Sequence, residues 1–290
     1  MAAGYSGREV NALEPRVDKN IQELIRLLDT KIVDQIVEER YSSNNKIHSG
    51  DILSSFAAYS MTGKEAKSEI MVQIMAGSNT IATAIRATLL HIITNPVVLR
   101  KLRSEIATAG LTADIISNTQ ARTLPYLQAV IKEGLRIHPP VSSLSVKEVP
   151  KTGDTFKGMY FPPGTKLGIS MWALTRNRDL FGEDADEFRP ERWIEAKNAA
   201  DEEEKKGDSE ARAKLKEMEF SVDLIFGHGK WGCLGKNIAL MELNKVFLEL
   251  LRRYDFVVLN PMKPWDSKHS GVFSQKDFWL KAYKREDVSV

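Results

Sequence analysis

FGHGKWGCLGKN, residues 226–237, lies between an apolar run, VDLIF, and a run with helical period, IALMELNKVFLELL. Gly227, Gly229 and Gly232 spell G-x-G-x-x-G, the spacing of loops that cradle a dinucleotide phosphate. The chain's one cysteine, Cys233, follows at once, and then Gly235. The stretch therefore has two chemical readings. Either backbone amides close on a pyrophosphate, or a sulfur is presented to a metal.

The dinucleotide reading needs this loop early in a βαβ unit, with further strands and helices behind it. Fewer than sixty residues follow Gly235, too few to complete such a sheet. The next strand candidate, YDFVVLN, ends in Asn260 rather than in an acid that would hold a ribose. Trp231 is also bulky for a loop that must touch phosphate with its backbone. The thiolate reading explains more. A sulfur that ligates iron must be ionised, and a thiol near its usual pKa of about 8.5 mostly is not. A position just before a helix gives Cys233 unpaired amides and the positive end of the dipole. Gly232 and Gly235 keep the backbone close, Gly229 permits a tight turn, and Phe226 offers a flat apolar face. A lone cysteine is ordinarily a small buried apolar residue. The surrounding spacing of Phe, Gly, Cys and Gly argues against that here.

The bulk composition narrows the rest. With 290 residues, 42% of them hydrophobic, the chain can fill one large domain or two ordinary ones. Its 41 basic and 39 acidic residues nearly cancel, so no charge excess points to nucleic acid. One cysteine excludes an intramolecular disulfide. His48, His91, His138, His228 and His269 lack the paired helical spacing of a zinc site. No apolar run reaches the roughly 18 residues that a membrane span needs. MAAGYSGREV lacks the apolar core of a signal peptide, so no transmembrane anchor is expected and the chain reads as soluble.

Helical periodicity dominates the order of elements. Residues 17–31 read as a short amphipathic helix, and 64–94 as the longest helix, stopped before Asn95-Pro96. A further helix starts near Pro125 and is halted by Pro139-Pro140. Residues 141–173, including MYFPPGTKLGISMW, suggest hairpins on a small sheet. The charge run at 196–218 reads as a solvated loop or exposed helix. YDFVVLN and FWLKAY supply late strands. The expected fold is mainly α with small β sheets.

F-x-x-G-x-x-x-C-x-G, from Phe226 to Gly235 and followed by KNIALMEL, resembles the haem-binding loop of the cytochromes P-450, the haem-thiolate monooxygenases. Residues 229–256, GKWGCLGKNIALMELNKVFLELLRRYDF, are especially similar to the pisatin-demethylase-like branch of filamentous fungi. Two other stretches agree. Glu133 and Arg136, in VIKEGLRIHPP, stand three apart on a predicted helix. Most such pairs are exposed and worth a few tenths of a kcal/mol. Apolar neighbours favour burial, and a buried pair needs more partners. The resemblance supplies Arg192 of FRPERW, in a trio that is structural rather than catalytic. In MAGSNTIA, Ala76 and Gly77 would let a flat ligand lie on the helix. Thr80 can turn its hydroxyl from the backbone ladder and open a bulge. Taken alone, such small residues usually mean close helix packing. They match the family's oxygen-activation segment, Ala76 to Thr80.

The resemblance implies a cytochrome P-450 fold and haem b (iron protoporphyrin IX) as cofactor. Cys233 would be the metal ligand, donating electron density that favours O–O cleavage. Phe226, Gly229, Trp231, Gly235, Ala76 and Gly77 would contact the macrocycle, and Thr80 with ordered water would steer protons beside Asn79. Val141, Ser142, Ser143 and Leu144 match a substrate-lining segment. The implied reaction inserts one oxygen atom into a small apolar substrate, in fungal secondary metabolism. Electrons would come from NADPH through NADPH-cytochrome P-450 reductase, with Lys230, Lys236 and Lys245 as a basic docking face.

Three departures qualify that expectation. Asn79 stands at an acidic position, and an amide cannot carry a proton at neutral pH. Trp231 stands where many members keep Arg or His for a haem propionate. The family's chains are longer, so this chain is expected to be one partial domain. Residues 1–32 would be a remnant of earlier helices, and 33–290 would run from the oxygen-activation helix through the haem loop to the last strands. Thinner cover over the distal face would admit water. An isomerase, dehydratase or peroxygenase, or a shortened product acting as a binding module, remain the alternatives. The family usually sits at the endoplasmic reticulum membrane; without an anchor, a cytoplasmic place is the other option.

Overall fold

The computed structural model describes residues 33–42, 52–207 and 209–285. The helix expected at 17–31 lies outside the described residues. The chain divides into two compact units, Met1–Asn79 and Thr80–Val290.

The first unit contains α1 (Val33–Ser42), α2 (Ile52–Ala58) and the start of α3 (Gly63–Thr94). Thr62 starts α3 with reciprocal bonds. Its amide donates to Glu65 Oε2 at 2.8 Å, and the Glu65 amide donates to Thr62 Oγ1 at 3.3 Å. Val37 and Ala66 are buried, with Tyr41, Leu53, Phe56 and Ile70 packed around them. Lys67 ties α3 to Asp34 at 2.9 Å.

The second unit continues α3 and adds α4 (Pro96–Thr108), α5 (Asn118–Arg122) and α6 (Pro125–Ile137). Local chemistry sets each boundary. Asn95 ends α3 and caps α4, its side chain accepting from Val98 N at 3.2 Å. Pro96 and Pro125 occupy first turns, where a missing N–H has no helical partner to lose. Pro139 and Pro140 forbid any extension of α6.

Strand β1 (Leu144–Glu148) pairs antiparallel with β4 (Lys166–Ser170), enclosing a hairpin of β2 (Asp154–Phe156) and β3 (Met159–Phe161). The expected small sheet is thus two separate two-stranded sheets, and MYF does not pair with KLGIS. Two turns explain this. Lys157 and Gly158, at φ +48° and +79°, close a two-residue turn between β2 and β3. Pro162 and Pro163 then end β3, because neither can donate a ladder bond.

Short helices α7 (Met171–Leu174) and α8 (Arg178–Phe181) lead to α9 (Glu191–Lys205) and α10 (Glu210–Asp223). The charge run at 196–218 is therefore helical on both sides of a turn. It is not merely a solvated face: Ala200, Leu215 and Met218 are buried. Then follow α11 (Lys236–Arg253) and four strands. Here β5 (Tyr254–Val258) pairs with β8 (Leu280–Lys284), and β6 (Asp266–His269) with β7 (Phe273–Lys276).

Apolar faces of α3, α4, α6 and α11 share one core, in which Ile92, Leu102, Leu127, Val130, Phe247 and Leu251 are fully buried. Gly134 on α6 allows the tightest approach. A Cβ there would lie 2.0 Å from Thr88 Oγ1 on α3. The architecture is mainly α with small antiparallel sheets, the class expected from the sequence. Among the described residues no single helix is long and apolar enough to cross a membrane.

Candidate functional site

Helix α10 runs into a 3-10 turn, Leu224–Phe226, directly before the glycine loop. No strand leads in, which removes the dinucleotide reading. Gly227 has φ +74° and ψ −176°, and a Cβ on it would sit 2.5 Å from Trp231 O. Only glycine fits there. Gly229 is also left-handed, at φ +58°. Gly232 and Gly235, at φ −65° and −85°, are in regions open to any residue. The conformational demand thus falls on Gly227 and Gly229, and the sequence reading had given Gly227 only to the phosphate motif.

The loop closes where Cys233 N donates to Phe226 O at 2.6 Å. Cys233 then stands just before α11 with an exposed thiol. Apolar groups rim it: Leu234 is 97% exposed, Trp231 63% and Ile238 49%. The Lys147 ammonium, from β1, lies 4.5 Å from the Trp231 ring centroid, and that of Lys230 5.2 Å. Lys147 was not singled out from the sequence, since nothing local links residues so far apart. An exposed soft donor, an apolar rim and two ammonium groups fit a flat macrocycle bearing iron and carboxylates. Among the described residues no group of three or more His, Cys, Asp or Glu side chains could hold a metal ion, so the donor set is this one sulfur.

The basic docking face is not free as drawn from the sequence. Lys245 turns inward and donates to Ile116 O at 2.9 Å. Lys236 pairs with Asp223 at 2.9 Å.

Behind the loop, the structure brings Glu133, Arg136 and Arg192 together. Glu133 and Arg136 are fully buried, and Arg192 is 3% exposed. Glu133 accepts five hydrogen bonds: two from Arg136 at 2.9 and 2.7 Å, and one each from Arg192 Nε, Arg189 N and Trp193 Nε1 at 2.9 Å. Arg136 also donates to the carbonyls of Thr175, Ala185 and Glu187. Arg192 reaches Phe181 O, Asp184 Oδ1, Asp184 O and Glu187 O. All five donors of each guanidinium are therefore satisfied, which is what makes burying two cations beside Glu133 and Asp184 tolerable. Trp193, Asp184 and the carbonyls were not legible in the sequence.

Ala76–Thr80 lies within unbroken α-helix, so the expected bulge at Thr80 is absent. The Ser78 hydroxyl folds back onto Ile74 O at 2.6 Å without interrupting the ladder. Ala76 and Gly77 are exposed, and a Cβ on Gly77 would meet nothing within 4 Å. Asn79 and Thr80 are half-buried and straddle the division between the units.

In the segment after α6, Val141 forms a bridge with Val272, and Ser142 is 9% exposed. Ser143 and Leu144 face solvent. Two histidines nearby are held neutral by burial. His91, stacked on Phe188 at 4.9 Å, is pushed down to about 4. His138, packed on Phe273 at 4.2 Å, is likewise pushed down to about 4.

Comparison with known proteins converges on one family. A family model described as cytochrome P450 matches residues 13–281. The chain is 41% identical over 255 residues to the cytochrome P450 monooxygenase ABA1 of Pyricularia oryzae, covering 87% of this chain and 47% of that protein. It is 36% identical over 208 residues to the pisatin demethylase of Fusarium vanettenii, covering 72% of this chain and 37% of that protein. The cytochrome P450 monooxygenase cicH of Emericella nidulans is 33% identical over 269 residues, with 87% and 50% covered. The chain spans about half the length of these relatives or less. With a glycine-built loop that presents a single exposed thiol, and a match reaching from residue 13 to residue 281, the chain belongs to the cytochrome P450 family.

Proposed function

We propose that this chain binds haem b through Cys233 and serves a monooxygenase that inserts one oxygen atom into a small apolar molecule of fungal secondary metabolism. NADPH would supply electrons through a cytochrome P-450 reductase. The exposed thiol of Cys233, at the mouth of a loop that only glycine can turn, carries the proposal. Relatives named as monooxygenases support it. When bound, the haem supplies oxygen activation at a thiolate-ligated iron.

The chain's own residues then have separable tasks. Cys233 would give the sulfur, and Phe226, Trp231 and Leu234 would offer apolar surface to a bound macrocycle. Lys147 and Lys230 stand over the Trp231 ring and would supply the charge that an indole lacks for acidic groups of a macrocycle. Glu133, Arg136 and Arg192 hold α6 against the segment at 175–193, a bracing role rather than a chemical one. Thr80 carries the mobile proton, because Asn79 can orient water but not exchange a proton with it. That amide also favours a second reading, in which peroxide replaces reductase-fed oxygen.

The test is formation of oxygenated product from an apolar probe substrate by the haem-loaded chain, with NADPH and a fungal reductase or with peroxide alone. The expected rate depends on reductase and rises several-fold in Asn79→Asp, general acid–base groups being worth roughly a hundredfold or more where fully used. A rate that is reductase-independent and driven equally by peroxide favours the second reading. An unchanged or lower rate in Asn79→Asp contradicts the relay.

A further inference from the structure

The segment that follows α6 is fastened to the far end of the chain by contacts that neither the brace nor the thiolate loop uses. Ser142 Oγ lies 2.6 Å from His269 Nε2, within hydrogen-bond reach whichever group donates. The amides of Ser142 and Ser143 both donate to Gly271 O, at 3.1 and 3.2 Å. Val141 bridges Val272, and Phe273 N donates to Pro140 O at 3.4 Å. Gly271, at φ +92°, turns the β6–β7 hairpin so closely that a Cβ on it would lie 3.3 Å from Ser143 Cβ. The His269 ring packs on Phe273 at 4.8 Å, and Phe273 packs in turn on His138 at 4.2 Å, the residue that ends α6. A serine beside a histidine also suggests a nucleophile. Both local amides are spent on Gly271 O, however, leaving no donor pair for an oxyanion.

We propose that His269 is a positioning residue: its bond to Ser142 latches Val141–Leu144 to the β6–β7 hairpin and thereby sets which apolar molecules fit beside the haem. This rests on the reading that the segment lines the substrate site. The backbone bonds fix where the segment runs. The Ser142–His269 bond fixes the rotamer of its one buried side chain, so that Ser143 and Leu144 stay turned outward. His269 is itself exposed, so replacing it removes the latch without emptying the core.

Two readouts on His269→Ala, Ser142→Ala and His269→Gln decide the matter. In the chain without haem, amide hydrogen exchange at Ser142 and Ser143 is expected to rise three- to tenfold in both alanine variants, the ratio that one net hydrogen bond sustains. His269→Gln, which keeps a side-chain donor, is expected to restore slow exchange. In the haem-loaded chain, Soret titration with imidazole and with 4-phenylimidazole gives a ratio of Kd values. That ratio is expected to shift by a similar factor in His269→Ala and to return in His269→Gln. Unchanged exchange overturns the latch. Raised exchange with an unchanged ratio overturns the selectivity role, and the same titration shows that haem binding at Cys233 survives. If no Soret response is seen at all, the haem reading fails separately, and exchange still decides the latch.

Discussion

Glu133 is the residue on which most of the buried polar chemistry converges. One carboxylate accepts from two guanidinium groups, an indole and a backbone amide. Removing its charge strands the buried Arg136, which has no other carboxylate among the described residues, while Arg192 keeps Asp184; breaking such a pair costs about 3–5 kcal/mol. Glu133→Gln is therefore expected to lower the urea midpoint sharply with little change in m value, read by far-ultraviolet circular dichroism. A midpoint close to that of the unaltered chain would show that Arg136 is held by its carbonyl partners, and Arg192 by its carbonyl partners and Asp184. Part of this constellation was readable from the sequence, because an acid and an arginine three apart share a helix face. Its larger part was not. Carbonyls of Thr175, Phe181, Ala185 and Glu187 have no side-chain signature, and Trp193 reads in sequence as one more apolar residue. Gly227 and Lys147 were missed for related reasons. The first needed φ to reveal its role, and the second needed a contact made across more than eighty residues of chain.

At the scale of elements, α3 and α6 meet at Gly134 and Thr88. A methyl group at Gly134 would overlap the Thr88 side chain, whose Oγ1, Cγ2 and Cβ all lie within 2.8 Å of it. Overpacking of that kind costs about 1–3 kcal/mol. Gly134→Ala is expected to destabilise by that much in urea titration, and Thr88→Ala in the same chain to recover part of the loss. Additive losses in the double variant would mean that the helices do not meet there. The termini of these helices were legible, since Asn95-Pro96 and Pro139-Pro140 act through local sterics. The helix over 64–94 was legible too, but the absence of a bulge at Thr80 was not, because a hydroxyl can bond back to the ladder with or without one. Nor was the split of the 141–173 region into two ribbons, which depended on turn geometry at Lys157-Gly158.

Helix α3 and the residue that caps α6 carry an acid sensitivity. Burial holds His91 and His138 near pKa about 4, below the ordinary value of 6.5. As pH falls from 6.5 to 4, the unfolded chain takes up protons that the native chain refuses. The contribution is therefore complete above pH 6.5 and lost across that window, by at most about 3 kcal/mol per ring. His91→Phe keeps a ring on Phe188 and removes one titrating group. It is expected to flatten the fall in stability between pH 7 and pH 5, measured by urea unfolding at both. An equally steep fall would place the sensitivity elsewhere.

On the scale of the whole molecule, the family and the fold class were legible because a few short motifs demand them. The loop at 226–237 and the Glu133–Arg136 pair lie far apart in the chain and each is bound to local geometry, whereas the stretch at 76–80 matched by residue type alone. The choice of substrate is not so encoded, since apolar lining residues look like any other apolar residues. The chain spans 47% of its Pyricularia oryzae relative, and its core nonetheless assembles α3, α4, α6 and α11 around the back of the thiolate loop. Whether that loop binds haem through sulfur is open to one direct measurement. The purified chain is loaded with haem, reduced, and exposed to carbon monoxide, alongside Cys233→Ser. The expected result is a Soret band red-shifted to the thiolate position in the unaltered chain and absent from Cys233→Ser. A band at the same wavelength and intensity in both proteins, or no band in either, would contradict ligation by Cys233.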